Sequence, residues 1–216
     1  RLVGGGPSRR HLALMDDIVG PPPERDLPAI YVSRSRLPHG RFAGEGYLDA
    51  ALAAAGLRVV HPEGLSLAEQ CALYRRARHL VFAEGSALHA LQLLGHVEAS
   101  VTVLVRRPSL RMAAASLAPR VRELRYLDAL RGFVHGLRPN GEPHLPTGIS
   151  VLDGARCLAG FAHAGIDLAA HWDGAAFARA CEADVAEWVA RRAAAPSHPG
   201  EGAVIARCLR ALSVTA

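Results

Sequence analysis

From Ala29 to Leu127 the chain alternates short apolar runs with longer stretches whose apolar positions recur at helical spacing. Residues 29–33, 57–60, 79–83 and 100–105 read as strands, with 123–127 as a fifth, shorter one. Helices are predicted over 47–55, closed by Gly56, over 66–78, over 86–94 and over 110–117, the last broken by Pro119. Strands and helices in this alternation build βα units on a parallel sheet. The expected fold class is α/β, a doubly wound and mainly parallel sheet with additional C-terminal helices.

Residues 29–131 make up the predicted α/β domain. Before it, residues 1–28 read as a linker with a short helix over 8–19. The opening is Gly-rich and lacks an initiator Met, so further chain is expected upstream. Beyond Arg131, residues 132–150 are expected as a loop, because Gly136-Leu137-Arg138-Pro139-Asn140-Gly141-Glu142-Pro143 is dense in helix and strand breakers. Residues 151–216 are expected as a helical extension. There Phe177, Cys181, Val185 and Trp188 recur on one helical face, the pattern of core packing.

A chain of 216 residues with 50% hydrophobic content can bury a sizeable core, and its 5% aromatic content favours small aliphatic packing over a β-sandwich. All basic residues are arginine, the bias of a GC-rich bacterial genome. The net charge of +5 and pI near 9.5 suit an anionic ligand, but the arginines are scattered, which argues against nucleic acid as a partner. Cys71, Cys157, Cys181 and Cys208 lie far apart without metal-like spacing and read as thiols of a reducing compartment, so a cytoplasmic location is expected. No apolar run is long enough to cross a bilayer, which leaves peripheral contact with a membrane open.

In open parallel sheets ligands sit beyond the carboxyl ends of the strands. Three places there carry candidate chemistry. In Ser33-Arg34-Ser35-Arg36 two arginines one residue apart can fork a diphosphate, or can be a solvated pair. The small-residue turn Gly85-Ser86-Ala87-Leu88-His89 joins a strand to a helix and can offer backbone N–H groups to a phosphate, or can be an ordinary turn and cap. Ser66-Leu67-Ala68-Glu69-Gln70 has the spacing of a capping box, while Glu69 or Gln70 could equally accept hydrogen bonds from sugar hydroxyls.

Taken in order, "YVSRSR" and then "GLRVVHPEGLSLAEQCALYRRARHLVFAEGSALH" resemble glycosyltransferase family 61, including bacterial capsular polysaccharide biosynthesis proteins. Four elements of the family occur in sequence: an Arg-bearing first strand, an Arg and acidic pair (here Arg41 and Glu45), a Pro-Glu-x-Leu-Ser-x-x-Glu-Gln stretch, and a Gly-(Ala/Ser)-x-Leu turn. The resemblance covers about residues 29–105. It departs where many relatives carry Asn before the acidic residue, here Gly44-Glu45, and where eukaryotic relatives have Thr-Asn after the turn, here His89-Ala90.

The resemblance implies the Rossmann-like, donor-binding half of a GT-B glycosyltransferase. Such an enzyme takes a nucleotide-sugar co-substrate, needs no other cofactor and no metal, and inverts the anomeric centre while glycosylating a glycan or other hydroxyl acceptor. It further implies that Arg34 and Arg36 hold the diphosphate, that Gly85, Ser86 and Ala87 present backbone donors to it, and that Arg41, Glu45, Glu69, Gln70 and His89 line the donor pocket. A general base is expected from an amino-terminal domain. Two readings of other classes stay open: a non-catalytic nucleotide-binding or regulatory module, and another small-molecule α/β transferase. Against a methyltransferase stands Ser33-Arg34-Ser35-Arg36, where that class carries a Gly-rich loop.

Overall fold

The computed structural model describes residues 5–108 and 111–214. In chain order it contains α1 (Arg9–Val19), β1 (Leu27–Val32), α2 (Glu45–Ala54), β2 (Arg58–Val60), α3 (Leu67–Arg76), β3 (Ala77–Ala83), a 3-10 helix (Ser86–Leu93) and β4 (Val97–Leu104). It continues with α4 (Ala114–Leu117), β5 (Val121–Leu127), β6 (Leu130–Leu137), β7 (Pro143–Leu152), α5 (Gly154–His163), α6 (Gly174–Ala194) and α7 (Glu201–Val214). The chain divides into two compact units. The first comprises residues 1–33, 56–104 and 110–127, the second residues 34–55, 105–109 and 128–216.

The first unit holds a sheet of five strands in the order β2-β1-β3-β4-β5, every neighbouring pair parallel. This is the doubly wound α/β arrangement expected from the alternating pattern. Consecutive residues Leu80, Val81, Phe82 and Ala83 are all buried, as are Val101 to Leu104, which is how strands read when both faces of a sheet leave water. Leu80, Phe82, Val101 and Val103 join Ile30, Val32, Leu88 and Leu91 in one core, where the Tyr74 ring meets Phe82 edge-on with centroids 5.3 Å apart.

Three predicted elements differ in detail. The stretch after Gly85 winds as a 3-10 helix, and the predicted helix over 110–117 is reduced to α4, with Leu110 outside the described residues. Residues 8–19 do form a helix, capped by Ser8, but the segment read as a linker is fastened into the first unit. Asp16 accepts hydrogen bonds from the His96 backbone N–H and imidazole, both at 2.6 Å, and the Arg75 guanidinium donates to the Val19 and Gly20 carbonyls. The His96 hydrogen bond holds the Asp16 carboxyl below its ordinary pKa, against the effect of desolvation.

In the second unit the stretch expected as a loop over 132–150 is instead an antiparallel hairpin, β6 with β7. The breakers serve its tip, where Arg138 donates its N–H to the Glu142 carbonyl and Gly141 takes a φ of +83°. Gly136 lies within β6 for a different reason. A Cβ there would stand 1.9 Å from Glu201 Oε1, and Glu201 is fully buried. Its carboxylate accepts the N–H groups of Ser197 (2.7 Å) and Leu137 (3.3 Å) and pairs with the Arg192 guanidinium. Burial alone would raise the Glu201 pKa, but these donors outweigh it and hold the group below its ordinary value. Helix α7 packs along β6, and α6 packs against α2. The predicted stripe on α6 is core: Phe177, Cys181 and Trp188 are buried, and Phe177 joins Tyr47 and Trp172 in an aromatic cluster.

All four cysteines are free thiols. Burial pushes Cys157 and Cys181 up to about 12, so both are inert packing groups. Among the described residues no helix is long and apolar enough to cross a membrane.

Candidate functional site

In the order β2-β1-β3-β4-β5 the sheet reverses its direction of growth between β1 and β3, and ligands of such sheets bind at the carboxyl ends of those two strands. In the first unit these ends are Ser33 after β1 and Glu84-Gly85-Ser86 after β3. Ser33 and Glu84 are both completely buried, and each carries the sheet one residue further: the Ser33 N–H donates to the Val60 carbonyl at 2.9 Å, and the Glu84 N–H to the Leu104 carbonyl at 3.1 Å. The chain then turns at Gly85, which is extended, and enters the 3-10 helix at an exposed Ser86. Leading N–H groups of a helix have no acceptor within it, so this turn places such donors next to the end of β3. His89, one turn on, is exposed and pairs through Nδ1 with Gln92 at 2.9 Å.

Glu84 puts a carboxylate at this switch point, which the sequence reading did not single out. The available signal was an acidic residue directly after the apolar run of β3. Its charge is felt by Tyr126 on β5: burial first, and then Glu84, push that phenol up to about 12, with Arg111 above the ring opposing. The Tyr126 hydroxyl donates to the Met112 carbonyl at 2.6 Å.

Glu69 and Gln70 are engaged at the start of α3. Both halves of the capping box are present: the Ser66 N–H donates to Glu69 Oε2 at 2.7 Å, and the Glu69 N–H to Ser66 Oγ at 3.2 Å. The Ser66 hydroxyl and N–H hold the exposed Glu69 carboxyl below its ordinary pKa. Gln70 closes the preceding loop by donating to the Pro62 and Leu65 carbonyls. Ser66→Ala is therefore expected to cost about 1 kcal/mol, whereas Glu69→Gln keeps an acceptor for the box and should change urea stability little. A normally stable Glu69→Gln protein with much weaker donor binding would give Glu69 a place in the pocket as well.

The remaining candidates, Arg34, Arg36, Arg41 and Glu45, belong to the second unit. Glu45 is fully buried, and its carboxylate accepts the backbone N–H groups of Arg34 (2.7 Å) and Phe42 (2.9 Å), so it folds the 34–45 loop over itself. Arg41 is turned toward α6. One nitrogen lies 2.7 Å from Asp184 and the other reaches both Asp184 (3.0 Å) and Glu187 (3.3 Å), while Asp184 also accepts the Gly44 N–H. Arg34 is half-buried and donates from Nε to the Gly40 carbonyl at 2.6 Å, and Arg36 stands exposed. Asp184 and Glu187 were missed because nothing in the pattern of α6 marks them as partners of a distant loop. Among the described residues no group of three or more His, Cys, Asp or Glu is placed to hold a metal ion.

A doubly wound α/β protein with a small-residue turn at its switch point is the class that fold and site define. Residues 5–95, less than half of the chain, match the family model for Glycosyltransferase 61, and this match supports glycosyltransferase family 61 for that stretch. The match begins well before β1, takes in α1, and contains all ten candidate residues. No curated protein matches the chain. Glycosyl transfer, with a donor and an acceptor as substrates, is the function this match supports.

Proposed function

We propose that this chain supplies the donor-binding half of a glycosyltransferase of GT-B architecture, using a nucleotide-sugar to glycosylate a glycan or other hydroxyl acceptor in bacterial polysaccharide biosynthesis. The observation that carries the reading is the Gly85-Ser86 turn at the switch point of the parallel sheet, inside the family-matched segment. In the proposed reaction the acceptor oxygen attacks the anomeric carbon as the bond from that carbon to the diphosphate oxygen breaks, with inversion. The hydroxyl proton passes to a general base and the nucleoside diphosphate leaves with the electron pair. Backbone N–H groups at the turn are suited to the charge that grows on that diphosphate, and such fixed donors supply catalysis without a metal. The proposed setting is the cytoplasm, with peripheral contact to a membrane where the acceptor is lipid-borne.

Thermal unfolding in the presence of uridine, guanosine and cytidine diphosphates tests the reading. One of the three is expected to raise the melting temperature by mass action on the native state, and the matching nucleotide-sugar should release that diphosphate when an acceptor is added. An unchanged melting temperature across the panel would count against a donor site. Binding without release under any acceptor would favour the non-catalytic nucleotide-binding module, which the structural engagement of Arg41, Glu45, Glu69 and Gln70 makes the second reading.

A further inference from the structure

The second unit holds a cavity of about 1020 Å³, lined wholly by residues between Arg131 and Leu212. Its longest wall is one face of α6. Phe177, Cys181, Val185 and Val189 recur there every four residues, with Ala178 and Ala186 in the adjoining row, and the wall runs from Gly174 to Ala190. At 1.5 Å per residue that is roughly 24 Å of helix. The remaining walls come from Val151 and Leu152 of β7, from the start of α5, from Trp172, and from Leu209 and Leu212 of α7.

Leu158, Val185, Val189, Leu209 and Leu212 are only half-buried around this cavity, so a concave apolar surface is left facing water. Its volume and its mostly aliphatic and aromatic lining are those of a site for a small molecule, with a few polar groups to orient it. The small side chains of Ala178 and Ala186 leave room along the helix for a linear chain. Roughly 24 Å exceeds the span of a lipid chain in one leaflet, which is about half of a roughly 30 Å hydrocarbon core. Three charged residues complete the lining. Asp153 caps α5, accepting the Arg156 N–H at 2.8 Å, and Glu182 stands exposed on α6. Arg131, on β6, donates from Nη2 to the Leu212 carbonyl at 3.1 Å, which holds its guanidinium between β6 and α7 at the edge of the cavity. Its charge is felt by the Cys181 thiol, which lines the same space.

We infer that this cavity binds a lipid amphiphile, its apolar chain lying along α6 and its anionic head group on Arg131. The site lies within the second unit and is independent of the donor reading. A guanidinium offers several donors in one plane, so Arg131 can keep its bond to the Leu212 carbonyl and still meet a phosphate or carboxylate. Of the two carboxylates in the lining, Asp153 is already engaged as a cap, which leaves Glu182 as the attraction for a cationic head. Such a site supplies a hold on lipid that none of the described helices provides by crossing a membrane.

Calorimetric titration of the full chain with dodecyl phosphate, kept below its micelle concentration, tests the site. One molecule is expected to bind per chain, and octyl phosphate should bind more weakly by about fourfold for each methylene removed. Ala186→Trp fills the cavity and should weaken dodecyl phosphate at least about tenfold, whereas Ala183→Trp, exposed on α6 outside the lining, should bind as wild type does. Arg131→Gln should weaken dodecyl phosphate about tenfold and leave dodecyltrimethylammonium unchanged. Failure of the wild type to take up dodecyl phosphate, or wild-type affinity in folded Ala186→Trp or in Arg131→Gln, overturns the inference. If Ala186→Trp does not fold, the chain-length series decides, and equal affinity for octyl and dodecyl phosphate sinks the site. Co-sedimentation with phosphatidylcholine vesicles containing phosphatidic acid separates the sources of the ligand. Vesicle binding lost in Ala186→Trp identifies a membrane lipid, uptake of dodecyl phosphate without vesicle binding identifies a free amphiphile, and vesicle binding retained in Ala186→Trp counts against the cavity. The melting response to nucleoside diphosphates should be the same in Ala186→Trp as in wild type, so this site and the donor reading fail separately.

Discussion

Arg34→Ala is expected to abolish most of the stabilisation that a nucleoside diphosphate confers, while leaving the unliganded protein close to wild-type stability. The two halves of that expectation have different origins. The bond between this position and the buried Glu45 carboxylate runs from the Arg34 backbone N–H, which alanine retains. Among what alanine removes is a half-buried guanidinium whose Nε donates to the Gly40 carbonyl. A ligand at a hundred times its Kd stabilises the native state by about 2.7 kcal/mol, so at the same concentration a roughly tenfold loss of affinity removes about half of that and a roughly hundredfold loss removes most of it. Paired melting curves of wild type and variant, with and without the diphosphate, give the answer directly. Equal ligand-induced shifts in both proteins would detach Arg34 from the donor.

Arg41→Ala should behave in the opposite way, losing roughly 3 kcal/mol of folding stability. The Arg41 side chain is only 10% exposed, and its removal leaves Asp184, 22% exposed, with the Gly44 N–H as its donor among the described residues. Glu187 is more than half exposed and adds little, because water screens it. Urea unfolding of Arg41→Ala, Asp184→Asn and the double variant separates the pair from its surroundings. The double variant is expected to be less destabilised than the sum of the singles. A normal unfolding midpoint in Arg41→Ala together with lost nucleotide affinity would instead return this arginine to the pocket.

The contrast between these arginines marks the limit of what the pattern of residues could deliver. The βα order was legible because β3 and β4 bury several consecutive apolar residues and turn signals bound them. The hairpin over β6 and β7 was not, because Gly136 reads as a breaker and is needed for contact with the Glu201 carboxylate, far along the chain. The capping box at Ser66 was legible down to its two hydrogen bonds, since it is a local motif. Arg41 and Glu45 were legible as a motif but not in their work, since a spacing in sequence does not distinguish a group held for a ligand from one that fastens a loop.

The interleaving of the two units has an evolutionary consequence. Each is assembled from three separate stretches of chain, and the backbone alternates between them along its length. No single recombination event can transplant one unit intact into another gene. Changes in the first unit must therefore arise by point substitution within an inherited whole, with the second unit carried along.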